Sequence, residues 1–109
     1  MVSERYDYVV IGAGSAGCVL ANRLSADRSH RVLLLEAGGV DLSPYIHIPA
    51  GLMLLQEKFD WRYEAQPDGS RNGAVDKWAA GKVLGGSSSI NGMLWVRGHR
   101  ADFDGWRDL

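Results

Sequence analysis

The sequence lacks several features that would point to whole classes of protein. It contains one cysteine, Cys18, so no disulfide can form within the chain. No apolar run approaches the roughly 18 residues of a membrane-spanning helix, and the polar start, residues 1–5, does not resemble a secretory signal. Together these absences predict a soluble protein in a reducing compartment, most simply the cytoplasm, with Cys18 as a small buried residue.

The charged residues are nearly balanced in number. Twelve basic and thirteen acidic residues give a net charge of −1, so electrostatics provides no reason to expect nucleic acid or a membrane surface as a partner. The 109 residues are few for a complete dinucleotide-binding fold. We therefore expect residues 1–109 to be the N-terminal part of a cofactor-binding domain in a longer protein, without its substrate domain, ending within a helix near 105–109.

A glycine motif follows the first run of β-forming residues. Residues 6–11 predict a strand that leads into Gly12-x-Gly14-x-x-Gly17, and a helix is predicted from about 15 to 26. Gly12 permits the sharp turn, Gly14 permits close approach of a pyrophosphate, and Gly17 permits close packing of helix and strand. The start of the helix offers N–H groups and a partial positive charge to phosphates.

A second predicted strand, residues 31–36, ends in an acid. Glu36 lies 19 residues after Gly17, close to the spacing at which an acid binds a ribose hydroxyl. The pattern predicts an α/β, Rossmann-like fold with a parallel sheet and a site for the ADP moiety of a cofactor. A purely structural glycine turn is the alternative.

The regular pattern stops between residues 40 and 76, an irregular excursion in which all three prolines fall. A short helix is predicted at 51–56, a half-buried strand at 60–66, and a hairpin around the turn signals of 68–73. The three histidines, His30, His47 and His99, are interpreted as packed or surface residues. We therefore predict no metal site and no catalytic residue within this chain.

A second glycine cluster occupies residues 81–92, about 70 residues after the first. A short strand is predicted at 82–84. Gly85 and Gly86 permit a tight turn, and the serines that follow are good helix N-cap residues, so a second cradle of backbone donors is expected. A flexible linker is the alternative, which the core-forming neighbours Val83 and Ile90 disfavour. Two cradles indicate one long cofactor, and FAD fits better than a mononucleotide.

The stretch 81–106 resembles the first signature of the glucose–methanol–choline (GMC) flavin oxidoreductases. Residues 7–24, 34–38 and 48–51 are similar to the same family, in its choline-dehydrogenase-like or aryl-alcohol branch, so the resemblance covers nearly the whole chain. It implies an FAD-dependent alcohol dehydrogenase or oxidase. Such an enzyme moves a hydride from the CH–OH carbon of a small alcohol to flavin N5, with its histidine base outside this chain and its electron acceptor unspecified.

The resemblance also implies which residues bind the cofactor. It assigns the pyrophosphate to the first glycine motif, the adenosine ribose to the end of the second strand, and the flavin to the second cluster. The residues are Gly12, Gly14, Ser15, Ala16, Glu36, Ala37, Val83, Gly85, Gly86, Ser87, Ser88, Asn91, Gly92, Met93 and Leu94. Some members carry a histidine bonded covalently to the flavin where this chain has Ile90, so we expect non-covalent FAD. Ala79-Ala80 also departs from the Pro-Arg pair common in relatives.

Three other functions remain open on the residues alone. An NAD-dependent dehydrogenase would use the first motif but leave 81–92 without a role. A flavoprotein on the same scaffold could perform other chemistry, such as light-driven decarboxylation. A non-catalytic FAD-binding fragment is the third.

Overall fold

A computed structural model describes residues 4–109, apart from the side chains of Gln56 and Ser70. Its first part is a β-α-β unit of β1 (Tyr8–Ile11), α1 (Ser15–Leu24) and β2 (Val32–Leu35). The two strands pair in parallel, with Tyr8 opposite Val32 and Ile11 opposite Leu35. The predicted α/β fold with a parallel sheet is confirmed, and α1 ends two residues before its predicted end.

The irregular excursion is largely helical in its first half. It contains α2 (Pro44–His47), a 3₁₀ turn (Pro49–Gly51) and α3 (Leu52–Phe59). Proline occupies the first turn of both the helix and the 3₁₀ turn, where its fixed φ suits a helix and its missing N–H costs nothing. The helix predicted at 51–56 is thus present, but it begins one residue later and continues to Phe59.

The second half of the excursion is a small hairpin. Strand β3 (Tyr63–Glu64) pairs antiparallel with β4 (Lys77–Trp78). The turn signals at 68–73 are confirmed, because a 3₁₀ turn covers Gly69–Arg71 and positive φ angles follow at 72 and 73. The strand predicted at 60–66 is much shorter than expected, and β4 was not predicted, since two residues are too few to show a period.

Backbone pairs join the excursion to the second glycine cluster. Trp61 N–H donates to the Ala80 carbonyl (2.8 Å), and Lys82 N–H donates to the Phe59 carbonyl (2.7 Å). On the other side of the second glycine cluster, Val83 forms a parallel bridge with Gly39. The strand predicted at 82–84 is therefore not formed. The Val83 bridge is isolated, and the neighbouring Gly81 makes an isolated bridge to Asp60.

The buried apolar cluster lies beneath the second glycine cluster. Leu55 of α3 packs with Val83 and Ile90, and Ile46, Leu52 and Phe59 cover its edge. By contrast, α1 has no buried residue. The prediction that Cys18 is buried is wrong, because no part of the chain that the structure describes covers that face of α1.

The last element is α4 (Arg100–Arg107). A helix was predicted there, but it ends at Arg107, with Asp108 as its C-cap, and does not continue to residue 109. His99 caps it, since its Nδ1 accepts a hydrogen bond from Ala101 N–H (3.2 Å). The apolar residues 93–96 that precede it are exposed. Within residues 4–109, every helix is too short or too polar to cross a bilayer.

Candidate cofactor-binding site

The first glycine loop requires glycine for two different reasons. Gly12 has a φ of +92°, a conformation that side chains disfavour. A Cβ on Gly17 would lie 1.9 Å from the Gly12 carbonyl oxygen, so α1 can pack against the loop only without one. A Cβ on Gly14 would meet no atom within 4 Å. Packing within the protein thus explains Gly17, whereas the space beside Gly14 is open to a ligand.

The second glycine cluster forms a defined turn. Gly85 and Gly86 have φ angles of +90° and +59°, and a 3₁₀ turn covers Gly86–Ser89. The Ser88 hydroxyl donates to the Gly85 carbonyl (2.6 Å), and the Ser89 hydroxyl donates to the Leu84 carbonyl (2.8 Å). These local bonds and the buried cluster beneath them exclude the flexible-linker alternative.

The two glycine loops touch each other. Gly85 N–H donates to the carbonyl of the fully buried Ala13 at 2.8 Å. A Cβ added to Gly86 would lie 2.9 Å from the Gly14 Cα, so only glycine allows the second loop to come this close. Two motifs some 70 residues apart in the sequence therefore form one site.

A groove of about 590 Å³ runs along the two loops. Its walls come from the ends of both parallel strands, the excursion and both glycine clusters. The lining residues are Ile11, Gly12, Gly14, Leu35, Glu36, Ala37, Trp61, Gly81, Gly86 and Ser87. None of these is lysine or arginine, so a phosphate here would bind backbone N–H groups and the N-terminus of α1.

Among the described residues that line the groove, Glu36 alone carries a carboxylate. Its Oε2 accepts a hydrogen bond from Ala13 N–H (2.7 Å), and its Oε1 accepts one from Gly38 N–H (2.8 Å). A carboxylate has about four lone-pair sites, so two remain for hydroxyl groups. The carboxylate is thus fixed in place and still able to accept from a ribose.

Six of the fifteen predicted residues line the groove, and the other nine do not. Those in the wall are Gly12, Gly14, Glu36, Ala37, Gly86 and Ser87. Ser15 and Ala16 are exposed in the first turn of α1, and Gly85 and Ser88 belong to the second turn without lining the groove. Val83 differs from the prediction that it lines the site, because it has no exposed surface and packs in the buried cluster. It supports the turn from below.

The four predicted residues after Ile90 lie outside the groove. They are Asn91, Gly92, Met93 and Leu94, and all are exposed. The Asn91 side-chain oxygen accepts from Met93 N–H (2.8 Å), and Leu94 is 86% exposed. Their predicted proximity to the flavin ring stays a prediction.

Four residues that line the groove were not predicted as site residues: Ile11, Leu35, Trp61 and Gly81. Trp61 reaches it because 59–61 pairs with 80–82, a long-range contact that the local sequence does not reveal. Lys82 Nζ lies 4.4 Å from the centre of the indole ring, and Tyr63 stacks beside it at 6.0 Å. The sequence did give a signal for Gly81, which is the first glycine of its cluster. Glycine is required there because a Cβ would lie 2.2 Å from the Gly86 carbonyl oxygen.

The histidines lie elsewhere. His30 lies 3.7 Å from Asp27 and edge-on to Tyr8, and the His47 Nε2 bonds the Asp41 carbonyl at 2.6 Å. None of the three lines the groove. Within the described part of the chain, no group of three or more His, Cys, Asp or Glu side chains is arranged to hold a metal.

Comparisons with known proteins agree with this geometry. A family model for GMC oxidoreductase matches residues 6–109. The chain is 54% identical over 103 residues to an alcohol dehydrogenase [acceptor] of Pseudomonas putida, covering 93% of this chain and 19% of that protein. It is 51% identical over 109 residues to an oxygen-dependent choline dehydrogenase of Vibrio vulnificus, covering 98% and 20%. The chain thus spans about a fifth of the curated relatives it matches.

Solved structures show the same likeness. Pyridoxine 4-oxidase from Mesorbium loti matches with a TM-score of 0.80 and 43% identity, over 95% of this chain and 21% of that one. A formate oxidase of Aspergillus oryzae RIB40, studied for its FAD modification, matches with a TM-score of 0.76 and 38% identity, over 94% and 18%. The chain therefore belongs to the GMC oxidoreductase family of FAD-dependent enzymes.

Proposed function

We propose that the protein oxidises the CH–OH group of an alcohol with FAD, and that residues 1–109 supply part of the FAD-binding domain. The observation that carries the proposal is the contact between the two glycine loops, which makes one continuous groove. An NAD site would account for the first loop but give the second no ligand to bind. The groove therefore favours a cofactor that is held near both loops.

The residues of the groove fit the parts of FAD. The open space beside Gly14 and the start of α1 suit the pyrophosphate. The spare lone pairs of Glu36 suit the hydroxyls of the adenosine ribose. Gly86 and Ser87 then face the flavin half. The Ser87 hydroxyl accepts from Gly81 N–H (3.1 Å), which leaves its own proton free to donate.

FAD, when bound, supplies the hydride acceptor at its N5 atom. The chain itself binds and orients the cofactor. Backbone N–H groups of the glycine loops would hold the phosphates, and Leu35 and Trp61 give the groove part of an apolar wall. The histidine that takes the hydroxyl proton belongs to the remainder of such an enzyme, because the three histidines here lie away from the groove.

We infer that the cofactor is held without a covalent bond. Ile90, where some relatives carry the bonding histidine, has a hydrocarbon side chain that is 4% exposed and packs against Val83 and Leu55. It offers no nucleophilic atom. The named activities of the relatives, on alcohol, choline and pyridoxine, support a small alcohol as substrate over a decarboxylation.

The test uses the full-length protein purified without added flavin. We expect a yellow protein with flavin absorbance bands, whose FAD passes into the supernatant after acid precipitation. A panel of primary, aromatic and quaternary-ammonium alcohols with an artificial electron acceptor then reports oxidation. A colourless protein that does not take up FAD would refute the cofactor assignment. Flavin that stays with the precipitate would refute the non-covalent binding alone.

A further inference from the structure

The carboxylate of Glu36 is hydrogen-bonded to the first glycine loop and to the backbone that follows β2. Its two oxygens accept N–H groups from Ala13 in the first loop (2.7 Å) and Gly38 after β2 (2.8 Å). The carbonyl of the same Ala13 accepts Gly85 N–H from the second loop (2.8 Å). A chain of hydrogen bonds thus runs from Glu36 through Ala13 to Gly85.

Ala13 links the hydrogen bond of Glu36 to that of Gly85. Its N–H and its carbonyl belong to the two peptide groups on either side of one Cα, and the residue is fully buried. Both hydrogen bonds therefore depend on the backbone conformation at Ala13. The next residue of the second loop, Gly86, packs so closely on Gly14 that even a methyl group would not fit between them. The Gly85–Ala13 hydrogen bond and this contact together define the position of the second loop against the first.

We propose that Glu36 is a positioning residue that couples the two halves of the site, so that a ligand at the adenosine end tightens binding at the flavin end. The proposal rests on the FAD assignment above. A ribose hydroxyl on the spare lone pairs holds the carboxylate in the geometry that also fixes Ala13 and, through it, Gly85. A ligand that favours this closed arrangement raises its population for the second ligand.

The coupling is measurable with the two halves of FAD as separate ligands. ADP and riboflavin together carry all the groups of FAD and share no phosphate. Riboflavin is titrated into the full-length apoprotein by flavin fluorescence, with and without saturating ADP. We expect ADP to lower the riboflavin Kd by about fivefold or more, and riboflavin to lower the ADP Kd by the same factor, because coupling is reciprocal.

Glu36→Gln separates coupling from simple binding. Glutamine keeps the length of the side chain, but one of its two terminal atoms becomes a donor, so it can accept only one of the two N–H groups. In this variant we expect ADP to bind more weakly, since Glu36 also faces the ribose, and the effect of saturating ADP on the riboflavin Kd to fall to less than about twofold. Glu64→Gln, an exposed change on β3 outside the groove, is the matched control and keeps the wild-type coupling.

Hydrogen exchange of the apoprotein gives a readout that needs no ligand. The amides of Ala13 and Gly85 should exchange faster in Glu36→Gln than in wild type and Glu64→Gln. Independent binding of ADP and riboflavin to the wild-type protein would overturn the proposal, whether or not the variant folds. Undiminished coupling in a folded Glu36→Gln would do the same. Failure of the wild type to bind FAD would instead refute the proposed function.

Discussion

Alanine at the two glycines Gly14 and Gly17 should separate ligand binding from folding. A Cβ on Gly14 meets no protein atom within 4 Å. Gly14 is the N-cap of α1. Relative to the best N-cap residues alanine costs about 1 kcal/mol and glycine a few tenths, so alanine costs about 0.5–1 kcal/mol relative to glycine, and the lower entropy of the unfolded chain offsets about 0.4–1 kcal/mol of this. We therefore expect the free energy of unfolding of Gly14→Ala to stay within about 0.5 kcal/mol of wild type.

The effect of Gly14→Ala on FAD binding should be much larger than its effect on stability. The new methyl group projects into the space assigned to the pyrophosphate, which would move away from the loop and lose at least one charge-assisted hydrogen bond. Such a bond contributes about 1.5–3 kcal/mol, which corresponds to a weakening of about tenfold to a hundredfold in Kd. Gly17→Ala differs, because its Cβ would lie 1.9 Å from the Gly12 carbonyl oxygen. It should lose about 1–3 kcal/mol of stability or more.

The assay is a fluorescence titration of full-length apoprotein with FAD, beside urea unfolding of the same samples. Gly39→Ala is the matched control, since its Cβ also meets nothing within 4 Å and the residue does not line the groove. It should match wild type in both measurements. A folded Gly14→Ala that binds FAD with wild-type affinity would show that the pyrophosphate does not lie beside Gly14.

Two further predictions concern pH and activity. Hydrogen bonds from Ala80 N–H (2.7 Å), and then from Arg62 N–H (3.0 Å), hold the pKa of Asp60 below its usual value. Asp60 should therefore stabilise the fold above its unfolded pKa of about 4, with the stabilisation lost as pH falls through its lower folded pKa. The difference in free energy of unfolding between wild type and Asp60→Asn, measured by urea unfolding, should shrink as pH falls from about 4 through the folded pKa of Asp60. A difference that does not depend on pH would contradict the assignment. Residues 1–109 alone, supplied with FAD, should not oxidise any alcohol of the panel, because no histidine lines the groove; substrate-dependent reduction of the acceptor would refute this.

The β-α-β unit was predictable because its signals are local. Glycine spacing, a run of β-branched residues and an acid at the end of β2 each report on neighbours within a few positions. Gly17 shows the physical basis, since the contact that forbids a side chain there is with Gly12, five residues away. The match between predicted and observed β1, α1 and β2 follows from that short range.

The groove wall and the buried cluster were less predictable because long-range pairing decides them. Trp61 enters the groove only because the backbone at 59–61 pairs with 80–82. Val83 was assigned to the flavin from the family motif, yet it packs against Leu55, 28 positions earlier. A motif identifies which stretch approaches the cofactor, but whether a given side chain faces the ligand or the core depends on the partner beneath it.

The site and the fold depend on each other in this chain. Among the described residues the buried apolar side chains are few: Ala13, Leu55, Val83 and Ile90. The two glycine loops meet mainly through the Gly85–Ala13 hydrogen bond and the contact of Gly86 with Gly14, neither of which buries much apolar surface. A ligand that spans the two loops can therefore contribute a large share of the stability of their arrangement. A ligand present at a hundred times its Kd adds about 2.7 kcal/mol to the folded state, which is comparable to fully burying one large apolar side chain.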